Sequence, residues 1–383
     1  MDVFDILTFS AVVVVCVYCL FIFICIYGWK KIKLYTPDLE QKFSTKISII
    51  IPARNEEKNI IACIERISKQ SYPQELFEII VIDDDSIDKT SHLVDMFREQ
   101  RVEKNLRLIH QQTSPDIVSH KKKAIETGIE LATGDLIITT DADCVVQTDW
   151  LKTIVSYYEQ HKPKMIIGPV GFYDDESVFC QFQTYELISI AGITAAAVYF
   201  GHPVMSSGAN LVYERSAFYN VKGFHKINHL ASGDDVLLMN KFKKLFPQEI
   251  HYLKASEALV LTKPVKKLSE FIQQRIRWTS KNFSRSGIFS ALIGLIILLS
   301  NILPPAGMLI TFFSGKFIIV FIILWLIKFV IDVVLLNTAN TFFKKTTELM
   351  NIMLLELTYP LYVFLIALFS LRGKYIWKQR SVR

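Results

Sequence analysis

Between Lys46 and about Thr262, short apolar runs alternate with segments that are apolar on one side only. Ile47–Ile51 is a strand-length run stopped by Pro52, and Asn55–Lys69 puts Ile60, Ile61, Ile64 and Ile67 on one helical face. Glu78–Ile82 predicts a second strand. It leads through Ser86 and Asp88, both suited to cap a helix, into a helix over Thr90–Arg101. Strand Leu106–Ile109, helix Lys121–Leu131 and strand Leu136–Thr140 continue the series. Strand–helix alternation at this spacing predicts an α/β fold with a doubly wound, mostly parallel sheet. After Pro163 the alternation weakens. Glu176–Phe200 predicts a long apolar helix with Phe179, Phe182, Tyr185 and Ile188 on one side, which suits a core helix as well as one facing an acceptor or the membrane. Lys263–Ser286 is basic and amphipathic: Leu268, Phe271, Ile272 and Ile276 form a stripe beside Lys266, Lys267, Arg277, Lys281 and Arg285. Such a helix can lie in the headgroup plane of a membrane.

Longer apolar runs flank this middle. Ile6–Tyr27 is uncharged and long enough to span a bilayer, and similar runs follow at about Ile288–Phe313, Phe317–Leu336 and Ile352–Leu371. The expected division is therefore a transmembrane anchor at 1–30, an α/β domain at 44–262, an interfacial helix at 263–286, and a C-terminal membrane region with a basic tail at 287–383. Asp2 and Asp5 precede the first run, where a cleaved signal would be basic, and Lys30, Lys31 and Lys33 follow it. The positive-inside bias then puts the N-terminus outside and the central domain in the cytosol, as in an integral protein of the plasma (inner) membrane. The basic tail, Arg372 to Arg383, also favours the cytosol, whereas three complete C-terminal spans would export it. A re-entrant or interfacial stretch at Pro304-Pro305 would restore the parity.

Composition sharpens this picture. Of 383 residues 51% are hydrophobic, with 27 Phe against 12 Pro, richer than a soluble enzyme usually is. The net charge of +6 is gathered beside the apolar runs, which fits a membrane surface and not nucleic acid. Cys16, Cys19 and Cys25 lie in the first apolar run as packing residues, and Cys63, Cys144 and Cys180 show no disulfide or metal spacing. Lys328, Asp332 and Glu356 are costly in lipid and are expected to pair inside a helical bundle.

The candidate chemistry is carried by clusters in a fixed order. Ile51–Glu57 follows the first strand and opens a helix, where Glu56 and Glu57 could meet a nucleotide or simply complement the helix dipole. Asp83-Asp84-Asp85 ends the second strand, either to bind a base or ribose or as an acidic turn. Asp141-Ala142-Asp143 ends an apolar strand after a Gly134-Asp135 turn; two carboxylates so spaced can hold Mg²⁺ or Mn²⁺ and leave room for pyrophosphate. Gly233-Asp234-Asp235 opens a helix, and one of its acids could take a proton from an attacking hydroxyl. Gln274-x-x-Arg277-Trp278 sets three side chains on neighbouring helical turns: the indole can stack on a sugar and the arginine can grip phosphate. Interfacial Trp is the bland alternative.

With these residues in this order, the chain resembles the membrane-embedded, inverting family 2 glycosyltransferases, the group of cellulose synthase, hyaluronan synthase, poly-N-acetylglucosamine synthase and ceramide glucosyltransferase. The pattern covers about Ile47 to Trp278. The resemblance implies a GT-A fold, a UDP-sugar donor, a divalent metal (Mg²⁺ or Mn²⁺) and a lipid or glycan acceptor. It also allows for a small accessory subunit. Matched by position, Ala53, Glu56 and Asp84 would touch the uridine. Lys121, in Lys121-x-x-Ala124-Ile125-x-x-Gly128, would approach the diphosphate. Asp141 and Asp143 would hold the metal, with Asp143 the direct ligand, and Asp235 would be the base. Asp234, Gln274, Arg277 and Trp278 would clamp acceptor and diphosphate, with Gly208 and Asn210 in a loop near the acceptor. Two positions depart from the family pattern: Asp85 replaces a small residue and Asp234 a glutamate. One in-line displacement would follow, an α-linked donor giving a β-glycoside. Two other classes compete. Leu136–Val146 fits the strand-then-D-x-D-x-V signature of haloacid-dehalogenase phosphatases, and a non-catalytic membrane scaffold could keep this shell. The enzyme reading requires Asp84, Asp143 and Asp235 to open onto a single cleft.

Overall fold

The computed structural model describes the chain except residues 1–2, 39, 102–104, 112–117, 174–176, 286–287, 313–314, 316, 371–374, 378–379 and 383, and side chains outside 280–289 and 371–383. The strands that matter here are β1 (Ile47–Ala53), β2 (Phe77–Asp83), β3 (Leu106–His110), β4 (Leu136–Thr139), β5 (Met165–Ile167), β6 (Val170–Phe172), β7 (Leu211–Glu214), β8 (Ile250–Tyr252) and β9 (Val260–Thr262). The helices are α1 (Val3–Lys31), α2 (Ile60–Ser68), α3 (Thr90–Arg101), α4 (His120–Leu131), α5 (Trp150–His161), α6 (Val178–Tyr199), α7 (Arg215–Asn220), α8 (Val236–Leu245), α9 (Leu268–Arg285), α10 (Ile288–Thr311), α11 (Ile318–Phe343) and α12 (Leu349–Ser370).

Seven strands form one sheet in the order β3-β2-β1-β4-β7-β5-β8. It is the expected doubly wound, mostly parallel sheet, interrupted by β7, which runs antiparallel to both β4 and β5. The isoleucine-rich strands are buried on both faces because each face has its own core. Ile50, Ile80, Ile82 and Ile137 point into one, with α4, α6 and α8; Ile49, Ile51, Ile79, Val81 and Ile138 point into the other, with α2 and α5. Strand order reverses direction between β1 and β4, which leaves a crevice beyond their carboxyl ends. A short parallel pair, β6 with β9, stands beside that crevice and is tied to the segment after β4 by a Val145–Leu261 bridge.

Among the described residues, four helices are long and apolar enough to cross a membrane: Val3–Lys31, Ser290–Thr311, Ile318–Phe343 and Leu349–Ser370. Helix α10 runs unbroken through Pro304 and Pro305, so of the re-entrant or interfacial stretch expected there the re-entrant form is replaced by a continuous helix of crossing length. Trp29, at the end of α1, inserts into the sheet's core edge-on to Tyr252 and Phe342, and its Nε1 donates to Thr338 O at 3.2 Å. Lys328 pairs with Asp332 at 2.8 Å and Glu356 at 2.6 Å, the interior pairing expected of these charges.

Two helices begin later than periodicity predicts. Helix α2 starts at Ile60, not Asn55, because Asn55 takes φ +52° and the amides of Asn55, Glu56 and Glu57 are claimed by Ser86 Oγ, Thr90 Oγ1 and Asp88 Oδ2. Ser86 therefore holds the neighbouring loop and does not cap α3, whereas Asp88 does accept from Thr90 N. Helix α9 starts at Leu268, not Lys263, because Val265 exchanges both backbone bonds with the Gln183 side chain.

Candidate active site

Beyond the carboxyl edge of the sheet lies a cavity of about 940 Å³, walled by the sheet on one side and by α6 and α9 on the other. Its first corner is built where β1 and β2 end. Ala53 closes β1, and its carbonyl accepts the amide of Asp84 at 2.8 Å. Of the three consecutive aspartates only Asp84 lines the cavity. Asp83 turns back to accept from Ser91 Oγ at 2.6 Å, and Asp85 adopts φ +57° at the turn. Asp84 is buried, with Oδ1 accepting from Gln111 Nε2 at 3.1 Å and lying 3.2 Å from His120 Nδ1. Glu56 is fixed nearby, its carboxylate accepting from Asn59 Nδ2 at 2.8 Å.

Across the crevice, β4 delivers Asp141 and Asp143. Asp141 Oδ1 accepts from Lys121 Nζ at 2.7 Å, and Asp143 Oδ2 accepts from Thr262 Oγ1 at 3.2 Å. Ligand atoms of Asp141, Asp143 and Cys144 lie within 4.8 Å of one another. The carboxylates are partly exposed, but Cys144 is buried. Burial first, then the charges of Asp141 and Asp143, hold its thiol well above the ordinary value, so it stays protonated. What remains is a pair of hard oxygen donors, the set a Mg²⁺ or Mn²⁺ ion accepts.

Lys121, at the start of α4, also lies 3.2 Å from Asp234 Oδ2. Burial alone would lower its pKa. Asp141, Asp234 and Asp235 outweigh that and hold the ammonium above the usual lysine value. Gly208 permits this pairing: a Cβ there would sit 2.9 Å from Asp234 Oδ2 and 3.3 Å from Lys121 Nζ. Gly233 makes the turn before Asp234 at φ +83°, a conformation that L side chains rarely adopt. Asp235 then caps α8, its Oδ1 accepting from Val236 N at 2.8 Å while the residue faces the cavity. The loop leading to it is held from below by Lys122, buried, which donates to the carbonyls of Ile227, Leu230 and Ser232. No strand leads directly into Gly233: residues 221–229 are turns and 230–232 a bend, so the strand that a haloacid-dehalogenase motif requires is missing from the described residues there.

The far wall belongs to α9, which contributes Gln274, Arg277 and Trp278, and to α6, which contributes Leu187, Ile190, Ala191 and Thr194 at helical spacing. Of the residues given a site role by the family resemblance, Asn210 alone is outside the lining. Its amide donates to Pro169 O and Ala258 O at 2.9 and 2.8 Å, and its oxygen accepts from Trp150 Nε1, behind the wall. Gln111, His120, Lys122 and Thr262 were not selected. Only their position left a signal, His120 and Lys122 flanking Lys121.

Residues 48–222 match the sequence profile of Glycosyl transferase family 2, and residues 136–371, more than half of the chain, that of Glycosyl transferase family group 2. The chain belongs to glycosyl transferase family 2. Glycosyltransferase GlyG of Streptococcus pneumoniae serotype 4 is 30% identical over 132 residues, covering 34% of this chain and 41% of that protein. The dolichyl N-acetyl-alpha-D-glucosaminyl phosphate 3-beta-D-2,3-diacetamido-2,3-dideoxy-beta-D-glucuronosyltransferase of Methanococcus voltae is 33% identical over 116 residues, 30% of this chain and 35% of that one. The matched segments thus span under half the length of these two relatives. The mannosyltransferase PcManGT of Pyrobaculum calidifontis, solved with GDP-Man and Mn²⁺, superposes over 97% of this chain and 98% of its own, at TM-score 0.56 and 16% identity. That likeness shows a shared fold over nearly the whole chain, sheet domain and long helices together. This member of the family thus has a GT-A-type fold and, among the described residues, one N-terminal and three C-terminal helices of membrane-crossing length.

Proposed function

We propose that this glycosyltransferase moves a hexose or N-acetylhexosamine from a UDP-sugar to a hydroxyl of a lipid-linked acceptor, with inversion, on the cytosolic side of the plasma membrane. The observation that carries the reading is the single cavity shared by Asp84, Asp143 and Asp235, with Arg277 and Trp278 facing them. In this reading Ala53, Glu56 and Asp84 receive the nucleoside, and Lys121 approaches the diphosphate. Asp143, with Asp141 beside it, would be the direct ligand of Mg²⁺ or Mn²⁺. A metal held there would supply Lewis-acid stabilisation to the departing diphosphate. Asp235 takes the proton of the acceptor hydroxyl as that oxygen attacks the anomeric carbon from the face opposite the nucleotide. Arg277 steadies the diphosphate, Trp278 stacks on the acceptor end, and Asp234 holds Lys121 in place. Rate comes from positioning and electrostatics.

The apolar stripe of α6 favours a lipid-linked acceptor over a free glycan, since a cavity holding only sugars and phosphates gains nothing from Leu187 and Ile190. The Methanococcus voltae relative, whose name specifies a dolichyl N-acetyl-alpha-D-glucosaminyl phosphate, supports the same choice. Lys30 and Lys31 in the last turn of α1 and Lys33 just beyond it support the cytosolic side.

The test incubates detergent-purified protein and a membrane lipid extract with radiolabelled UDP-sugars and GDP-mannose, with Mn²⁺, Mg²⁺ or EDTA. Lipid-soluble and polymeric products are then separated. Label should enter the lipid fraction from a UDP-sugar, require metal, and fall about 10²–10⁴-fold in Asp235→Asn. No nucleoside diphosphate released from any donor, or full turnover by Asp235→Asn, refutes the reading.

A further inference from the structure

Between Gln274 and Arg277 lies a side chain the proposed chemistry leaves aside. Arg275 is 2% exposed and does not line the cavity. Its Nε donates to Glu186 Oε2 at 2.7 Å, and its Nη2 lies 2.6 Å from the same oxygen. The other carboxylate oxygen accepts from Tyr362 OH at 2.5 Å, so the ion pair joins α9, α6 and the membrane-length helix α12. The guanidinium is sandwiched within its own helix, 4.3 Å from the ring centroid of Phe271 and 4.3 Å from that of Trp278. Its Nη1 donates to Gln274 Oε1. One buried cation thus touches two α9 residues that face the cavity, Gln274 and Trp278.

We infer that Arg275, held by Glu186 and Tyr362, is a positioning residue that sets how Gln274 and Trp278 are presented to the substrates. Packing alone does not call for this arrangement, because a buried ion pair can be replaced by apolar residues of similar volume without loss of stability. Only a planar guanidinium can stack between two rings while donating along its edges to both a carboxylate and an amide; a lysine cannot. The pair also sets cavity width. Helix α6 offers Glu186 to α9 and turns Leu187 and Ile190 inward. A shift of α9 relative to α6 therefore moves the clamp relative to the apolar wall.

The inference rests on the glycosyltransferase reading of the cavity. Full-length protein in detergent is assayed for kcat, donor KM and Tm as wild type, Arg275→Met with Glu186→Leu, Arg275→Lys, and Tyr362→Phe. The double variant should keep its Tm, lose about 100-fold in kcat, and change donor KM little, since Ala53 and Asp84 stand at the other end of the cavity. Arg275→Lys should lose kcat similarly. Tyr362→Phe, which removes one hydroxyl and leaves the ring, should lose less with Tm unchanged. Wild-type kcat in a stably folded double variant makes the pair merely structural and overturns the inference. If the double variant does not fold, wild-type kcat in Arg275→Lys overturns it in the same way. A wild type that transfers sugar from no donor removes the site reading and this inference together, whereas an active wild type with a fully active double variant removes only the inference.

Discussion

Gly208 shows how little room the site leaves at the scale of one residue. Lys121 must lie between Asp141 and Asp234, and the backbone at Gly208 passes against that contact. Gly208→Ala inserts a methyl group 2.9 Å from Asp234 Oδ2, so either the carboxylate or the loop must shift. A displacement of that size at a positioned charge should lower kcat/KM about 100-fold with little change in Tm. Steady-state transfer assays on the purified variant check this, and wild-type kinetics would mean the loop yields freely. The residues legible at this scale were those at strand ends. Ala53, Asp84, Asp141 and Asp143 follow apolar runs, and a parallel sheet brings such positions to one edge. Asn210 was legible only as part of a loop. Its environment is set by Pro169, Ala258 and Trp150, each more than 40 positions away, and no local pattern carries that information.

At the scale of elements, hydrophobic periodicity located α3 to the residue and the central strands to within one or two. It failed where side chains compete for backbone amides: Ser86, Asp88 and Thr90 hold the segment before α2, and Gln183 holds the segment before α9. The stripe read on α9 splits for a similar reason. Phe271 and Ile276 are buried by α6 and α12, while Leu268 stays exposed at the first turn. The edge strand β8 carries a pH-sensitive contact. His251 Nδ1 lies 3.1 Å from Tyr157 OH on α5, and burial, followed by the neighbouring His161, lowers its pKa below the ordinary imidazole value. The folded state therefore prefers neutral His251. Its stabilising contribution is complete above the unfolded pKa of about 6.5 and is lost as pH falls through the folded pKa. Tm measured in detergent should decline on acidification below that value, and His251→Gln should flatten the decline. Superimposable profiles for the two proteins would contradict the assignment.

At the scale of the molecule, the sheet and the membrane-length helices are one packed body. Trp29 seats α1 in the sheet's core, α6 lies against α1, α11 and α12, and Tyr18 OH of α1 donates to Asp332 on α11 at 2.5 Å. Lys328 is the hub of this contact, 1% exposed and paired with both Asp332 and Glu356. Lys328→Met leaves two carboxylates without their cation in an apolar bundle and should cost about 3–5 kcal/mol, read as a lowered Tm in detergent. Adding Asp332→Asn and Glu356→Gln should recover much of it, and an unchanged Tm in the single variant would show that water already reaches the cluster. The sequence by itself determined the alternating α/β middle, the four apolar runs long enough to cross a membrane, the order of the acidic clusters, and so the family. Each of these is written in local periodicity and short spacing, the range over which hydrogen bonding and burial act along the chain. Only the tertiary structure decided which aspartate of Asp83–Asp85 faces the cavity, that Asn210 lies behind its wall, and that Arg275 sits between Trp278 and the Glu186–Tyr362 contact to α12. Those outcomes depend on contacts between residues tens to hundreds of positions apart, and the meeting of such residues is set by how layers pack, not by what stands beside them in the chain.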